Sequence, residues 1–127
     1  MKTKIAIVTD VSLFYNIFIP LLKKQNENVI VDVCGTIDEI DRKNNFESYN
    51  LILIDSGMTN MLCFEAIQHI RILKHITIPI WFFAEIQTEE YTLKCMAMGV
   101  SRIIYKPYDP IIISKEMLSK HLIYSFD

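Results

Sequence analysis

Cysteine is scarce in this chain, and the three that occur, Cys34, Cys63 and Cys95, are odd in number, far apart and set among apolar neighbours. That pattern suggests neither a disulfide framework nor a zinc site, and it leaves buried thiols as the expectation. A basic block is missing as well. The formal net charge is -2, so the Lys/Arg footprint that nucleic-acid binding needs is not there. No apolar run approaches the ~20 residues of a membrane span. Met1, Lys2, Thr3 and Lys4 lead into a short strand-like run without a cleavage-site pattern, which points away from a signal peptide and towards the cytoplasm. Repeats, linkers and low-complexity stretches are also lacking. What is there is a chain of 127 residues, 51% apolar and 22% charged, the size and composition of one domain over 1–127 with a core that needs no staples.

The strongest local signal is Leu51, Ile52, Leu53 and Ile54 running directly into Asp55, Ser56 and Gly57. A continuous branched apolar run bounded by Asn50 and by Ser-Gly reads as a strand buried on both faces, as in a parallel sheet. Asp55 then lies at its carboxyl end, the edge where open α/β sheets bind ligands. An aspartate in that place can equally cap the next helix or begin a turn. Further strands are expected over 4–8, 29–34, 76–83 and 102–105, with Pro79 tolerated near the start of the fourth.

Helices are expected between and after these strands. Ser12 can cap the first, in which Leu13, Ile17, Leu21 and Phe14, Phe18, Leu22 recur at helical spacing and Pro20 introduces a kink. Thr36 with Glu39 fits a capping box for a short helix to about Asn44, with Ile37 and Ile40 inward and Phe46 and Tyr49 folding back afterwards. A third carries Phe64, Ile67, Ile70 and Leu73 as far as Lys74. Thr88 opens a fourth that Gly99 terminates, and Asp109 caps a fifth with Pro110 in its first position. Five strands alternating with five helices imply a doubly wound α/β domain with a parallel sheet and right-handed crossovers. The chain stops soon after the fifth helix, so no output domain is expected within it.

Three charged side chains converge from three strand ends in this arrangement: Asp10 from the first, Asp55 from the third and Lys106 from the fifth. Two carboxylates suit Mg²⁺, which binds through one or two of them plus phosphate oxygens and water. A lysine opposite supplies a point charge for phosphate, and a carboxylate so held can act as a nucleophile toward a phosphoryl group.

With these residues in order, nearly the whole chain resembles the receiver domain of two-component response regulators. The matching features are an acid after the first strand, Asp55-x-x-Met58 after the third, a Pro-led fourth strand, Gly99 seven residues before Lys106-Pro107, and the run Tyr105, Lys106, Pro107, Tyr108, Asp109, Pro110. The resemblance implies a flavodoxin-like (βα)5 fold with strand order 2-1-3-4-5, the order for which a receiver protein is the standing example. It implies that Asp55 accepts phosphate from a histidine kinase or phosphotransfer protein. Asp10, Asp55 and the Gly57 carbonyl would hold Mg²⁺, with Thr9 or Glu85 as further candidate contributors, and Lys106 would pair with the phosphate. It implies a signalling module rather than an enzyme and an output domain or partner protein elsewhere, and it leaves open whether a homodimer forms through the fourth helix, fifth strand and fifth helix, the face receivers commonly use.

Several positions depart from the family pattern. Thr9 replaces the first of two adjacent acids, so Mg²⁺ is expected to bind weakly. Ala84 stands where a Ser or Thr hydroxyl bonds the phosphoryl group, and Ile103 stands where a switch aromatic is usual. Thr59 occupies a common Pro position, Cys63 a position where Gly is frequent, and Glu85 places an acid at the mouth of the site. Two readings result: a phosphoacceptor with atypical switching, or a receiver-like interaction module that acts without phosphorylation. A flavodoxin-like cofactor binder would share the architecture, but Thr9, Asp10, Val11 and Ser12 form no glycine-rich phosphate loop. A phosphocysteine carrier using Cys34 lacks anion-cradling neighbours in sequence.

Overall fold

Five short strands, β1 (Lys4–Val8), β2 (Ile30–Cys34), β3 (Leu51–Asp55), β4 (Ile80–Ala84) and β5 (Arg102–Tyr105), form one parallel sheet in the order β2-β1-β3-β4-β5. The computed structural model describes residues 2–43, 46–59 and 62–124, with side chains described as far as residue 119. The helices are α1 (Ser12–Gln25), α2 (Ile37–Arg42), α3 (Cys63–Gln68), α4 (Glu89–Ala97) and α5 (Pro110–Tyr124). The parallel sheet between helices is what the alternation of strands and helices predicts, and the flavodoxin-like order 2-1-3-4-5 is the one the receiver resemblance implies.

The two-residue period of the strands divides the core into two layers. Ile5, Ile7, Leu51, Leu53, Trp81 and Phe83 face one side, where Phe14, Phe18 and Leu22 of α1 and Ile113 and Met117 of α5 cover them. Ala6, Val8, Ile52, Ile54, Phe82 and Ala84 face the other, against Ile40, Ala66, Ile67, Ile70 and Cys95 of α2, α3 and α4. Because β3 and β4 are buried at every position, they carry no polar alternation until Asp55.

Four local expectations are corrected. Ser12 does not cap α1: it is the first helical residue, the N-cap is Val11, and no side chain caps the helix. Only the Phe14, Phe18, Leu22 row of α1 enters the core, while Leu13 is 69% exposed and Ile17 lies at the surface. The fourth strand begins at Ile80 rather than Ile76. Pro79 precedes it, and the Pro79 carbonyl accepts from Ile52 N–H at 3.0 Å. Leu73 is 65% exposed rather than inward, because α3 widens into a π-helical turn over His69–Leu73, closed by Lys74 N–H donating to the His69 carbonyl. The extra residue in that turn advances the register, so Ile70 stays buried and Leu73 turns outward.

Other caps follow the expected chemistry. The Thr36 hydroxyl accepts from Glu39 N–H, and the Glu39 carboxylate accepts from Gly35 N–H. α2 ends at Arg42, and Asn44 lies outside the described residues. Thr88 caps α4 through Tyr91 N–H, Asp109 caps α5 through Ile111 N–H, and Gly99 takes the positive φ of 92° that ends α4. Among the described residues no helix is long and apolar enough to cross a membrane.

Candidate functional site

The parallel sheet delivers Thr9 and Asp10 from β1, Asp55 from β3, Ala84 and Glu85 from β4 and Lys106 from β5 to its carboxyl edge. The β4–β5 register pairs Ala84 with Tyr105, and Lys106 N–H donates to the Ala84 carbonyl at 3.0 Å. That bond sets the height at which the lysine side chain leaves the sheet. Ser56 N–H donates to the Phe83 carbonyl at 2.9 Å and does the same for the loop after Asp55.

Asp55 is only 2% exposed and is hydrogen-bonded through both oxygens. Oδ1 accepts from Gly57 N–H at 3.1 Å and pairs with Lys106 Nζ at 3.2 Å, and Oδ2 accepts from the Thr9 hydroxyl at 3.3 Å. The Thr9 hydroxyl in turn accepts from Val11 N–H at 3.0 Å, which fixes its own proton on Asp55. A buried carboxylate needs such partners, since an unpaired one is strongly disfavoured. A Cβ at Gly57 would lie 3.5 Å from both Asp55 oxygens, so the glycine keeps that side of the carboxylate open.

Asp10 is held by a different loop. Thr59 N–H donates to Asp10 Oδ1 at 3.0 Å and to Oδ2 at 3.1 Å, and the Thr59 hydroxyl donates to Oδ2 at 3.1 Å. Proline in position 59 would offer neither donor. The structure therefore joins Asp55 directly to Lys106, while Asp10 is tied to the segment after β3 through Thr59. Sequence reasoning noted Thr59 only as a departure, although the residue type itself carried the signal of two new donors.

Glu85, mostly exposed, turns its carboxylate to within 3.4 Å of Lys106 Nζ. Ala84 is fully buried and Ile103 packs against the same cluster, so neither presents a polar group to the site. Tyr108 and Cys63 also border it. Burial and the Asp55 charge push the Tyr108 hydroxyl up to about 12, and the ring stacks on Phe18 at 6.0 Å. Burial raises the Cys63 thiol, against a hydrogen bond from Tyr91, with Asp55 adding to the rise. Burial also pushes Cys34 up to about 11, so at neutral pH it is a thiol and not the thiolate a phosphocarrier needs.

Asp10 and Asp55 supply two carboxylates, which is within the range Mg²⁺ uses when phosphate and water complete its shell. Among the described residues no group of three or more His, Cys, Asp or Glu side chains forms a metal cluster, so Glu85 does not complete an acid triad with them. Both carboxylates already accept protein hydrogen bonds that a cation has to compete with. The residues fit a weakly held Mg²⁺.

The family model for the response regulator receiver domain matches residues 5–117. No curated protein matches the chain. Among solved structures it is similar to a CheY-like response regulator receiver domain protein from Methanospirillum hungatei JF-1, at 20% identity and TM-score 0.78 over 95% of this chain and 94% of that one. It is similar to a two-component response regulator from Clostridium difficile, at 19% identity and TM-score 0.79 over 94% and 95%. It also resembles the chemotaxis response regulator CheY4 of Vibrio cholerae, at 20% identity and TM-score 0.76 over 95% and 99%.

Proposed function

We propose, since this chain belongs to the response regulator receiver family, that Asp55 accepts a phosphoryl group from a histidine kinase or phosphotransfer protein and that the domain switches atypically. The observation that carries this reading is the buried Asp55 carboxylate with the Lys106 ammonium 3.2 Å away at the carboxyl edge of the sheet. Receiver domains are signalling modules rather than enzymes, they work with kinases or phosphotransfer proteins and output domains, and they typically bind Mg²⁺ in an acidic pocket.

In the transfer, an Asp55 oxygen attacks phosphorus and an O–P bond forms. The P–N bond to the donor imidazole breaks, and the nitrogen takes the electron pair and leaves as neutral imidazole, its other nitrogen keeping its proton. Thr9 and Gly57 hold the carboxylate in place for in-line attack, and Lys106 lies where charge accumulates on the transferring oxygens. Asp10, Asp55 and the Gly57 carbonyl would hold Mg²⁺, which when bound neutralises phosphoryl charge. No general base is needed, because Asp55 reacts as the carboxylate.

The domain spans 1–127 as one unit, works in the cytoplasm, and passes its signal to an output partner or a second copy through α4, β5 and α5. A second reading, an interaction module independent of phosphate, is favoured by Ala84, which has no hydroxyl to offer a phosphoryl group, and by the Thr59 donors already on Asp10. Incubation with acetyl phosphate and Mg²⁺ followed by intact mass measurement separates the two. Gain of one phosphoryl group in the wild type but not in Asp55→Asn supports the acceptor reading, and no gain in either refutes it.

A further inference from the structure

Lys106 stands between two acids of unlike surroundings. Its ammonium lies 3.2 Å from the buried Asp55 and 3.4 Å from Glu85, whose side chain is 65% exposed. An exposed pair of this kind adds little stability. Its consequence is electrostatic, because any anion approaching Asp55 must pass beside the Glu85 charge and compete with it for the ammonium. We infer that Glu85 is a charge gate on the phosphoacceptor site, selecting phosphodonors by their charge. This rests on the reading of Asp55 as the acceptor.

Two features make the contact specific. Glu85 directly follows Ala84, whose carbonyl accepts the Lys106 backbone N–H, so the two side chains leave neighbouring strand ends of β4 and β5 at the same height. Asp55 keeps Gly57 N–H and the Thr9 hydroxyl when Lys106 turns to another anion, whereas Glu85 has no second ion-pair partner among the described residues. A phosphoryl group that takes up Lys106 therefore displaces Glu85 first and leaves its charge next to its own. The repulsion grows in proportion to the donor's charge.

That proportionality gives the test. Acetyl phosphate carries two negative charges near neutral pH and phosphoramidate one net negative charge. Asp55 attacks phosphorus in both, breaking P–O with acetate as the leaving group or P–N with ammonia. If Glu85→Gln speeds the monoanion about threefold, it speeds the dianion about tenfold, because the electrostatic free energy doubles with charge, and both gains shrink at high salt. Glu89→Gln, an equal change of net charge in the exposed first turn of α4, is the control. Beryllofluoride affinity in Mg²⁺ buffer, read from the Lys106 and Asp55 amide shifts, is the second readout and is expected to tighten about threefold to tenfold in Glu85→Gln.

A larger gain for the dianion together with tighter beryllofluoride binding, both missing in Glu89→Gln, supports the gate. Equal rates with both donors and equal mimic affinity in wild type and Glu85→Gln overturn the gate and leave the acceptor reading standing. Tighter mimic binding in Glu85→Gln with no phosphorylation of any variant overturns the acceptor reading and, with it, the gate as a selector of phosphodonors. No phosphorylation and no mimic binding in any variant overturns both.

Discussion

Restoring a hydroxyl at position 84 should turn a weak conformational response into a strong one. Ala84 is fully buried in the layer facing α2, α3 and α4, and its neighbour in register is Tyr105. α4 is tied down by several contacts that do not involve phosphate. The Tyr105 and Thr92 hydroxyls are hydrogen-bonded, the Tyr91 ring lies 5.4 Å from Phe64, and the Tyr91 hydroxyl donates to Cys63. A phosphoryl group on Asp55 moves this assembly only by its differential affinity for two arrangements. The missing bond, from a hydroxyl to a charged acceptor, is worth roughly 1.5–3 kcal/mol, a shift of about tenfold to a hundredfold in the equilibrium.

The perturbation is therefore Ala84→Ser, which adds one oxygen to a buried site, followed by Ile103→Tyr in the same chain. Without a mimic the new hydroxyl is buried without an assigned partner, so stability should fall by about 1–3 kcal/mol. With beryllofluoride the hydroxyl gains its partner, and the mimic should stabilise Ala84→Ser more than wild type. The assay is the amide chemical-shift change over Glu89–Ala97 with and without beryllofluoride, small in wild type and enlarged in the variants. A large wild-type response that neither substitution increases would refute the reasoning.

Thr9→Asp should tighten Mg²⁺ binding, and Thr59→Pro should do so by about tenfold by releasing donors from Asp10, with calorimetric titration as the measure; unchanged affinity in both counts against the donor competition described above. Ile70→Ala should cost about 2–5 kcal/mol in urea denaturation while Leu73→Ala stays within about 0.5 kcal/mol, and the reverse order would mean that the third helix has no π turn. Burial raises Cys34 and Cys95 from 9.0 to about 11 and Tyr108 from 10.0 to about 12, so their protonated forms are favoured in the fold. Their contribution to stability is full below about pH 9 and is lost as pH rises through about 11 to 12, so melting temperature should fall over that window, and a flat profile there would show the groups to be accessible.

Most of the frame was legible because the strands are so apolar. The Leu51 to Ile54 run, the Trp81, Phe82, Phe83 cluster and the turn residues around them leave no competing period, and the carboxyl ends of the third and fifth strands place Asp55 and Lys106 without further information. The misreadings fall where backbone geometry overrides spacing. Leu73 sits at a helical interval from Ile70, and only the π turn, which has no compositional mark, moves it outward. Ile76 has strand propensity, but Pro79 delays the ladder until Ile80. In the site, the side-chain identities were readable and their partners were not. Whether Glu85 turns to the metal side or to Lys106 is decided by where β4 and β5 end relative to each other, which is a matter of register.

The substitutions Thr9 and Thr59 act on the same pair of carboxylates, and they act in the same sense. Position 9 loses a negative charge and gains a hydroxyl that donates to Asp55, while position 59 gains an N–H and a hydroxyl that both donate to Asp10. Each acid that a cation would neutralise is thus already stabilised by protein donors, and Lys106 supplies positive charge to Asp55 from the other side. Hydrogen bonds to a carboxylate are worth more than those between neutral groups, so a cation entering the site gains less here than where the acids are bare. With less repulsion to relieve, the resting site depends less on Mg²⁺ for its shape. The proposed weak metal binding rests on acids satisfied by protein donors, and the proposed muted switch on a buried Ala84 with no hydroxyl to offer, so both are built in before any phosphoryl group arrives.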